Sequence, residues 1–405
     1  MKVCVIGGGA SGMLASLLIA RKGHKVTLLE KNEKLGKKLY ITGKGRCNLT
    51  NAVTGNDFLA NVVRNQKFIM SAEVRFNSSD TMELFESLGV PLKIERGNRV
   101  FPESDKASDI TKALEKALKA NNVEIRLNSR VDQIVVEESK VKAVVVNDEK
   151  IDCDACIVAT GGVSYKLTGS TGDGYEFAKC VGHSIIEPKP ALVAIEIKNH
   201  NKNLSGLSLK NVMVFAKQDD KIIYQSPIGE MLFTGVGISG PLVLTLSSYI
   251  NRISAKNLKI CVDFKPALSE FALFQRIERD IVALKSKQFS SLLEGLLPKA
   301  LIDDFCKKLK IPRDKKVSQL TSEERKNLVY HLKNFELEFA RFDDIDRAVV
   351  TSGGVNVKEI KPKSMESKFI QKLYFIGEVL DVDALTGGFN LQIAFSTAAS
   401  CASDF

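Results

Sequence analysis

Three glycines and one acid near the N-terminus have the types and spacing of a dinucleotide site. Gly7, Gly9 and Gly12 in "IGGGASG" fit G-x-G-x-x-G, and Glu30 follows the third glycine by 18 residues. In such a motif Gly7 permits the tight turn, Gly9 lets backbone approach a pyrophosphate, and Gly12 lets a helix pack close to its strand. Glu30 can accept hydrogen bonds from an adenosine ribose and would repel a 2′-phosphate. A second candidate is "TGKGRCNLTN", Thr42 to Asn51. No apolar period of two or 3.6 runs through it. Its backbone N–H groups, Lys44 and Arg46 suit a loop that wraps an extended anionic cofactor. It is not a P-loop, because Gly45 stands where Ser or Thr is required. Near the C-terminus, Gly377-Glu378 and Gly387-Gly388 bracket "GEVLDVDALTGG", an acidic loop ahead of an apolar helix.

The elements that must position these residues are legible around them. "KVCVIG" reads as a strand, residues 10 to 22 as a helix ending at Gly23, and "KVTLLE" as a second strand closed by Glu30. An amphipathic helix is expected to about residue 120, capped by Ser108 or Asp109. Next come "VEIRLN", "VDQIVVEE", "KVKAVVVN" and "KIDCDACIVATGG", a β-meander feeding one last strand that ends at Gly161-Gly162. From Pro188 the pattern changes to antiparallel strands ("ALVAIEIK", "VMVFAK", "KIIYQ", "EMLFTG"). From Pro266 to about residue 337 it is helical and lysine-rich. The strand–glycine pattern returns after residue 345, and a helix starts near Asn390. Its positive end faces the loop, the position that in an FAD fold meets the isoalloxazine C2 carbonyl.

Composition narrows the classes. The chain has 405 residues, 44% of them hydrophobic and 26% charged, with eight cysteines and a net charge of +10. Soluble globular domains with real cores are expected. No stretch reads as a membrane span. The three glycines interrupt what would otherwise resemble a secretory signal, so a cytoplasmic protein with reduced thiols is expected. Cys153 and Cys156 form a CxxC without a second pair at zinc spacing, so no metal is expected. Gly235, Gly237 and Gly240 form a second G-x-G-x-x-G, but hairpin-like strands precede it.

Taken together, these segments resemble the YhiN/BaiN-type FAD flavoproteins of the glutathione-reductase-like Rossmann superfamily. The resemblance runs in order through "IGGGASGMLA", "GKKLYITGKGRCNLTN", "RVFPESDKASDI", "ATGG", "GSTGDGYEFA", "GEMLFTGVGISGP", "TSGGV", "MESK" and "GEVLDVDALTGGFNLQIAFSTA". One departure is Gly235, where the family pattern has a bulkier polar residue, often histidine. The resemblance implies an α/β fold: an FAD-binding Rossmann-type domain from residues 1–190 and 341–405. Inserted in it is an antiparallel β domain (191–266 and about 331–340) carrying a helical subdomain (267–330). It implies non-covalent FAD contacted by Gly7, Gly9, Ala10, Ser11, Gly12, Glu30, Lys31 and Lys38, and by Gly43, Gly45, Arg46, Cys47 and Asn48. Further contacts are implied at Val131, Thr160, Gly161, Gly377, Glu378, Asp381, Gly388, Asn390, Leu391 and Gln392.

The leading expectation is therefore an oxidoreductase in which NAD(P)H, a transient co-substrate, drives reduction of an enone-type double bond in a small organic substrate. Tyr40, Arg46 and Tyr165 are the candidate catalytic residues, and spacing does not choose among them. The competing expectation is a tRNA-modifying flavoprotein whose basic helical insert holds RNA. Lysines there alternate with acids, as in "ERDIVALKSK", so no nucleic-acid partner is expected. The oligomeric state stays open.

Overall fold

The computed structural model describes all 405 residues and divides into two compact units. Met1–Ala191 joins Asp344–Phe405 in one, and Leu192–Asp343 forms the other.

The larger unit is built on five parallel strands: β1 (Lys2–Ile6), β2 (Lys25–Leu29), β3 (Glu124–Arg126), β4 (Ala155–Val158) and β5 (Leu373–Phe375). Their order is β5-β4-β1-β2-β3. β1, β2 and β4 are near-continuous apolar runs buried on both faces, the pattern of a covered parallel sheet. Helix α1 (Ala10–Arg21) links β1 to β2 and packs against the last helix, α3 (Phe389–Ala402). Helix α2 (Ala107–Ala120) leads into β3. A three-stranded antiparallel sheet, residues 131–152, replaces the crossover helix between β3 and β4. The strand order reverses between β1 and β4, where open α/β sheets bind ligands beyond their carboxyl ends.

In the smaller unit, Ser208–Gln218 pairs with Gly229–Phe233 through its first half and with Leu258–Asp263 through its second. That double pairing closes six antiparallel strands into a ring, with Lys221–Gln225 appended as a hairpin. Helices Glu270–Ala283, Phe289–Glu294, Ile302–Leu309 and Ser322–Lys333 fall between its last two strands. They share one apolar core with the ring, centred on Phe264, Phe305 and Phe335, whose rings lie 4.8–5.6 Å apart. No helix of either unit is long and apolar enough to cross a membrane.

Three local expectations need correction. Helix α2 starts at Ala107, and neither Ser108 nor Asp109 caps it. Ser104 organises the turn instead, its hydroxyl accepting from Lys106 N, so Asp109 falls in the first turn, where the dipole favours it. "ALVAIEIK" is broken at Leu192, which is left-handed (φ 54°); its own amide and that of Val193 donate to the Ser248 and Ser247 hydroxyls rather than to a strand. The helical stretch ends at Lys333, and Phe335–Phe342 is a ring strand.

Within the larger unit, His183 is 3% exposed, with Phe369 and Phe375 against its ring. Its Nε2 lies 2.7 Å from Ser367 Oγ and its Nδ1 3.2 Å from Glu359 Oε2. The constellation mimics a catalytic triad, but Ser367 is 2% exposed and its oxygen accepts from Phe369 N and Ile370 N. It is a structural network. Burial holds the imidazole pKa below its ordinary value, partly offset by Glu359. The unfolded chain therefore binds the proton first, and stability falls as pH drops below about 6.5. Thermal unfolding at pH 7.5 and 5.5 should show a larger loss for the native chain than for His183→Gln; equal losses would exclude His183 as the responsible group.

Candidate functional site

The site begins where β1 ends. Ideal side-chain positions show what each glycine is for. A Cβ on Gly12 would lie 1.9 Å from Gly7 O, and one on Gly7 would lie 2.5 Å from Ala159 O. These two glycines let helix α1 and the ends of β1 and β4 touch backbone to backbone. Gly9 differs: its φ of −80° is ordinary, and a Cβ there would meet no atom within 4 Å. It faces open space at the N-terminus of α1, which has no side-chain cap and no acid in its first turn. Ala10 and Ser11 belong to that turn. The open backbone and uncapped helix dipole form a cradle for an anionic group such as a pyrophosphate.

Glu30 is 7% exposed and already occupied by backbone. Oε2 accepts from Gly8 N at 2.7 Å, and Oε1 accepts from Asn32 N at 2.8 Å. Oε1 also accepts from Asn32 Nδ2 at 2.7 Å; a carboxylate has about four acceptor sites, so one, on Oε2, is left for a ribose hydroxyl. Val131 begins the three-stranded sheet nearby, beyond Ser129, whose N–H bonds to Glu30 O at 2.9 Å. Lys31 pairs with Asp173 at 2.7 Å.

Lys38 is the junction of the site. Its ammonium donates to Ser164 Oγ and Glu378 Oε2, both at 2.7 Å, and lies 5.9 Å from the Tyr165 ring centroid. Glu378 Oε1 accepts from Thr351 N at 2.9 Å, and Thr351 Oγ1 accepts from Val163 N at 2.9 Å. Loops following β2, β4 and β5 thus converge on one ammonium. The segment 42–47 is strained: Gly43, Lys44, Gly45 and Cys47 all have positive φ. Burial pushes the Cys47 thiol up to about 12, so it is inert as a nucleophile. Arg46 lies 4.2 Å from the Phe101 ring centroid and is bound by Glu95 and Asp105. Those bonds raise its pKa further, which suits a fixed cation and excludes a proton donor. Tyr40 lies under Lys34, 4.6 Å from its ammonium.

Among the buried oxygens without a protein partner are Asn48 Oδ1, Thr160 Oγ1 and Tyr175 Oη. Such atoms carry a desolvation cost unless a ligand or water meets them. Thr160 and Gly161 follow β4, and Asn48 lies on the strained loop, so the residues present fit a bound dinucleotide with a polar ring system. Tyr175 escaped the sequence reading because nothing local marks an aromatic after "GSTGDG". Helix α3 starts at Gly388 without a side-chain cap. This leaves the first-turn N–H groups of Asn390 and Leu391, together with Gly377, near the same edge.

Two of the expected cofactor residues, Gln392 and Asp381, have side chains committed to the fold. Gln392 is fully buried; Oε1 accepts from Thr50 and Thr81 hydroxyls at 2.7 and 2.8 Å, and Nε2 donates to Phe76 O and Ser396 Oγ, both at 3.1 Å. It has no capacity left for a ligand. Asp381 takes a bidentate pair from Arg64 at 2.9 and 3.0 Å plus Asn65 Nδ2 at 2.9 Å, which anchors the 381–385 loop. The Asn390 side chain also holds that loop, through Ala384 and Leu385. Tyr40, Arg46 and Tyr165 share no hydrogen bond. The glycines of the second motif lie in a hairpin, and a Cβ on Gly237 would strike Ile195 O. Cys153 and Cys156 are buried beside Cys4; a hydrogen bond with Cys4 and burial raise the first thiol, and burial raises the second. No group of three or more potential ligands could hold a metal.

A family model described as HI0933-like protein Rossmann domain matches residues 1–404. The chain is 31% identical to a 3-dehydro-bile acid delta(4,6)-reductase of Clostridium scindens, over 98% of this chain and 97% of that one. It is equally, 31%, identical to a ribosomal RNA dihydrouridine synthase of Haemophilus influenzae, over 98% and 96%. Among solved structures, the 3-ketosteroid-delta4-(5alpha)-dehydrogenase of Rhodococcus jostii RHA1 shares the fold: TM-score 0.52 at 13% identity, covering 99% of this chain and 97% of the other.

Two substitutions separate the glycine motifs. A Cβ at Gly9 meets no protein atom within 4 Å, so Gly9→Val should leave the unfolding temperature nearly unchanged while abolishing flavin retention. Gly235→Val, with only Ser205 Oγ as near as 4.0 Å, should leave both unchanged. Equal flavin loss in both would refute this division. The double substitution Cys153→Ser with Cys156→Ser should keep flavin content and redox cycling while lowering stability by about 1–3 kcal/mol per buried hydroxyl left unpaired. Lost cycling with retained flavin would reveal a dithiol relay.

Proposed function

The chain belongs to the HI0933-like Rossmann-domain family, whose members are flavoprotein oxidoreductases, and we propose that it is an FAD-dependent reductase of a carbon–carbon double bond conjugated to a carbonyl, with NAD(P)H as electron donor. The observation that carries this reading is the convergence, at one sheet edge, of the open Gly9 cradle, the unpartnered Thr160 and Asn48 oxygens, and the uncapped start of α3. The two named activities of the relatives agree in chemistry. A 3-dehydro bile acid with 4,6-unsaturation has its alkenes conjugated to the 3-ketone, and dihydrouridine is uridine saturated at the bond conjugated to its C4 carbonyl.

Bound here, FAD would supply hydride transfer between the nicotinamide and the electron-poor alkene carbon. The chain must then deliver a proton to the neighbouring carbon. Tyr165 is the candidate for that step: it sits on a left-handed backbone (φ 53°) beside the Lys38 ammonium, a conformation that the surrounding structure must hold in place. Lys38, tied to Glu378 and Ser164, is held 5.9 Å from the centre of the Tyr165 ring. Arg46 acts as a fixed cation of the 42–47 loop.

A second reading takes the uracil ring of an RNA as substrate. It is favoured by relatives named as ribosomal RNA dihydrouridine synthases and by the charge distribution. Leu192–Asp343 holds 24 Lys and Arg against 17 Asp and Glu, while the rest of the chain holds 34 against 31. Most of the +10 therefore lies outside the cofactor unit.

Anaerobic NADH or NADPH should bleach the flavin, and a conjugated enone should restore its colour. Tyr165→Phe should slow reoxidation by about 10²-fold or more, the lower range for a positioned proton donor, while leaving bleaching unchanged. Equal slowing of both halves would argue against a proton-donor role. Titration with ribosomal RNA at two salt concentrations decides the second reading: salt-sensitive binding tighter than about 10⁻⁶ M, the strong end of the non-specific range, together with uracil reduction, would put RNA first.

A further inference from the structure

A side chain as bulky as that of Tyr165, the candidate proton donor, is disfavoured on a left-handed backbone (φ 53°). Bonds from neighbouring groups must hold it there. Thr168 supplies part of the restraint from within the same loop: its N–H and its hydroxyl donate to Tyr165 O at 2.8 and 2.7 Å. The rest comes from far along the chain. Tyr165 N donates to Asp346 O at 3.0 Å, and Lys166 N donates to Asp346 Oδ1 at 2.5 Å. One residue, 180 positions beyond Lys166, thus receives the amides on both sides of the Tyr165 α-carbon. Because each peptide unit is planar, tethering both units restrains both torsions between them.

Asp346 is itself held. It lies in the turn Ile345–Arg347, and its N–H donates to Asp344 Oδ1 at 2.9 Å. The strand that follows, Val350–Val355, adds another anchor, since Thr351 Oγ1 accepts from Val163 N at 2.9 Å. Asp344 is where the chain returns to the larger unit, so the first residues of that return grip the Tyr165 loop. Leu167, at the loop tip, is 90% exposed. With so little apolar packing at the tip, the hydrogen bonds carry the restraint.

We infer that Asp346 is the positioning residue for Tyr165: its carbonyl and carboxylate oxygens lock the two peptide units around the phenol-bearing carbon, so the O–H is presented in one pose. The inference rests on the reading that Tyr165 delivers the proton. A carboxylate suits the task, because its bond to an amide is charge-assisted, and proton delivery is sensitive to misplacement of the donor by even about 1 Å.

The test uses the full-length, FAD-loaded protein with two substitutions. Asp346→Ala removes the carboxylate acceptor, and Asp346→Asn keeps an oxygen in its place. Trypsin cleavage after Lys166, read from the mass of the fragment ending there, reports how often the loop opens. It should be about tenfold faster in Asp346→Ala, the weight of one charge-assisted hydrogen bond. In Asp346→Asn it should stay within about threefold of the native rate, because the oxygen acceptor remains. Reoxidation of the reduced protein by 2-cyclohexen-1-one, a simple conjugated enone, should slow about tenfold in Asp346→Ala and recover in Asp346→Asn. Flavin content and bleaching by NADH or NADPH should not change. On a Tyr165→Phe background, Asp346→Ala should cause no further slowing. The inference is overturned if Asp346→Ala leaves cleavage unchanged, leaves reoxidation unchanged where Tyr165→Phe slows it, or slows it equally with and without the Tyr165 hydroxyl. If Tyr165→Phe itself reoxidises like the native chain, the proton-donor reading fails instead, and the cleavage rates still decide whether Asp346 holds the loop.

Discussion

At the carboxyl edge of the parallel sheet, the backbones of Gly7, Gly12 and Ala159 meet where no side chain fits, with ideal Cβ positions only 1.9 and 2.5 Å from carbonyl oxygens. This contact sets the rest of the site. It places the start of α1 between the ends of β1 and β4, so the uncapped helix dipole points into the gap where the strand order reverses. Any larger residue at Gly7 or Gly12 would push strand and helix apart and move every donor that follows. Glu30 transmits the same constraint sideways: its carboxylate joins the glycine loop to the segment after β2 through Gly8 N and Asn32 N. Buried and accepting from two backbone amides, it costs little while its partners remain and would leave unpaired donors if they were lost.

The second organising element is the Lys38 ammonium. Segments far apart in sequence share it: Ser164 lies 126 residues away and Glu378 lies 340 away. Because Glu378 also accepts from Thr351 N, and Thr351 from Val163 N, the loops after β2, β4 and β5 form one polar network. Fixed charges and dipoles of this kind stabilise developing charge without having to reorganise. The Arg64–Asp381–Asn65 clamp does the same for the 381–385 loop, which holds α3 at the opposite end of the site. Polar groups otherwise costly to bury become the means of aligning separate chain segments.

How much was legible follows from the range of the interactions. The nucleotide-binding half was readable because its grammar is local: strand, glycines, helix, strand and acid within thirty residues. The Rossmann class and the final helix were readable for the same reason. The side-chain commitments of Gln392 and Asp381 were not legible, because their partners Thr50, Thr81 and Arg64 are brought in by tertiary folding. The ring closure in the smaller unit depends on Ser208–Gln218 pairing on both of its edges, which a period-two pattern cannot report. The Ser367–His183–Glu359 network joins residues up to 184 apart and leaves no sequence trace.

The central claim is that the whole dinucleotide is gripped: its pyrophosphate at Gly9, its ribose near Glu30, and its ring system between Asn48, Thr160 and α3. Calorimetric titration of the flavin-free protein with FAD, FMN and ADP-ribose tests this most directly. The account predicts tight FAD binding, measurable ADP-ribose binding that depends on an unsubstituted Gly9, and FMN weaker than FAD by at least about 10³-fold, or about 4 kcal/mol. FMN binding as tightly as FAD, with no ADP-ribose binding, would contradict it.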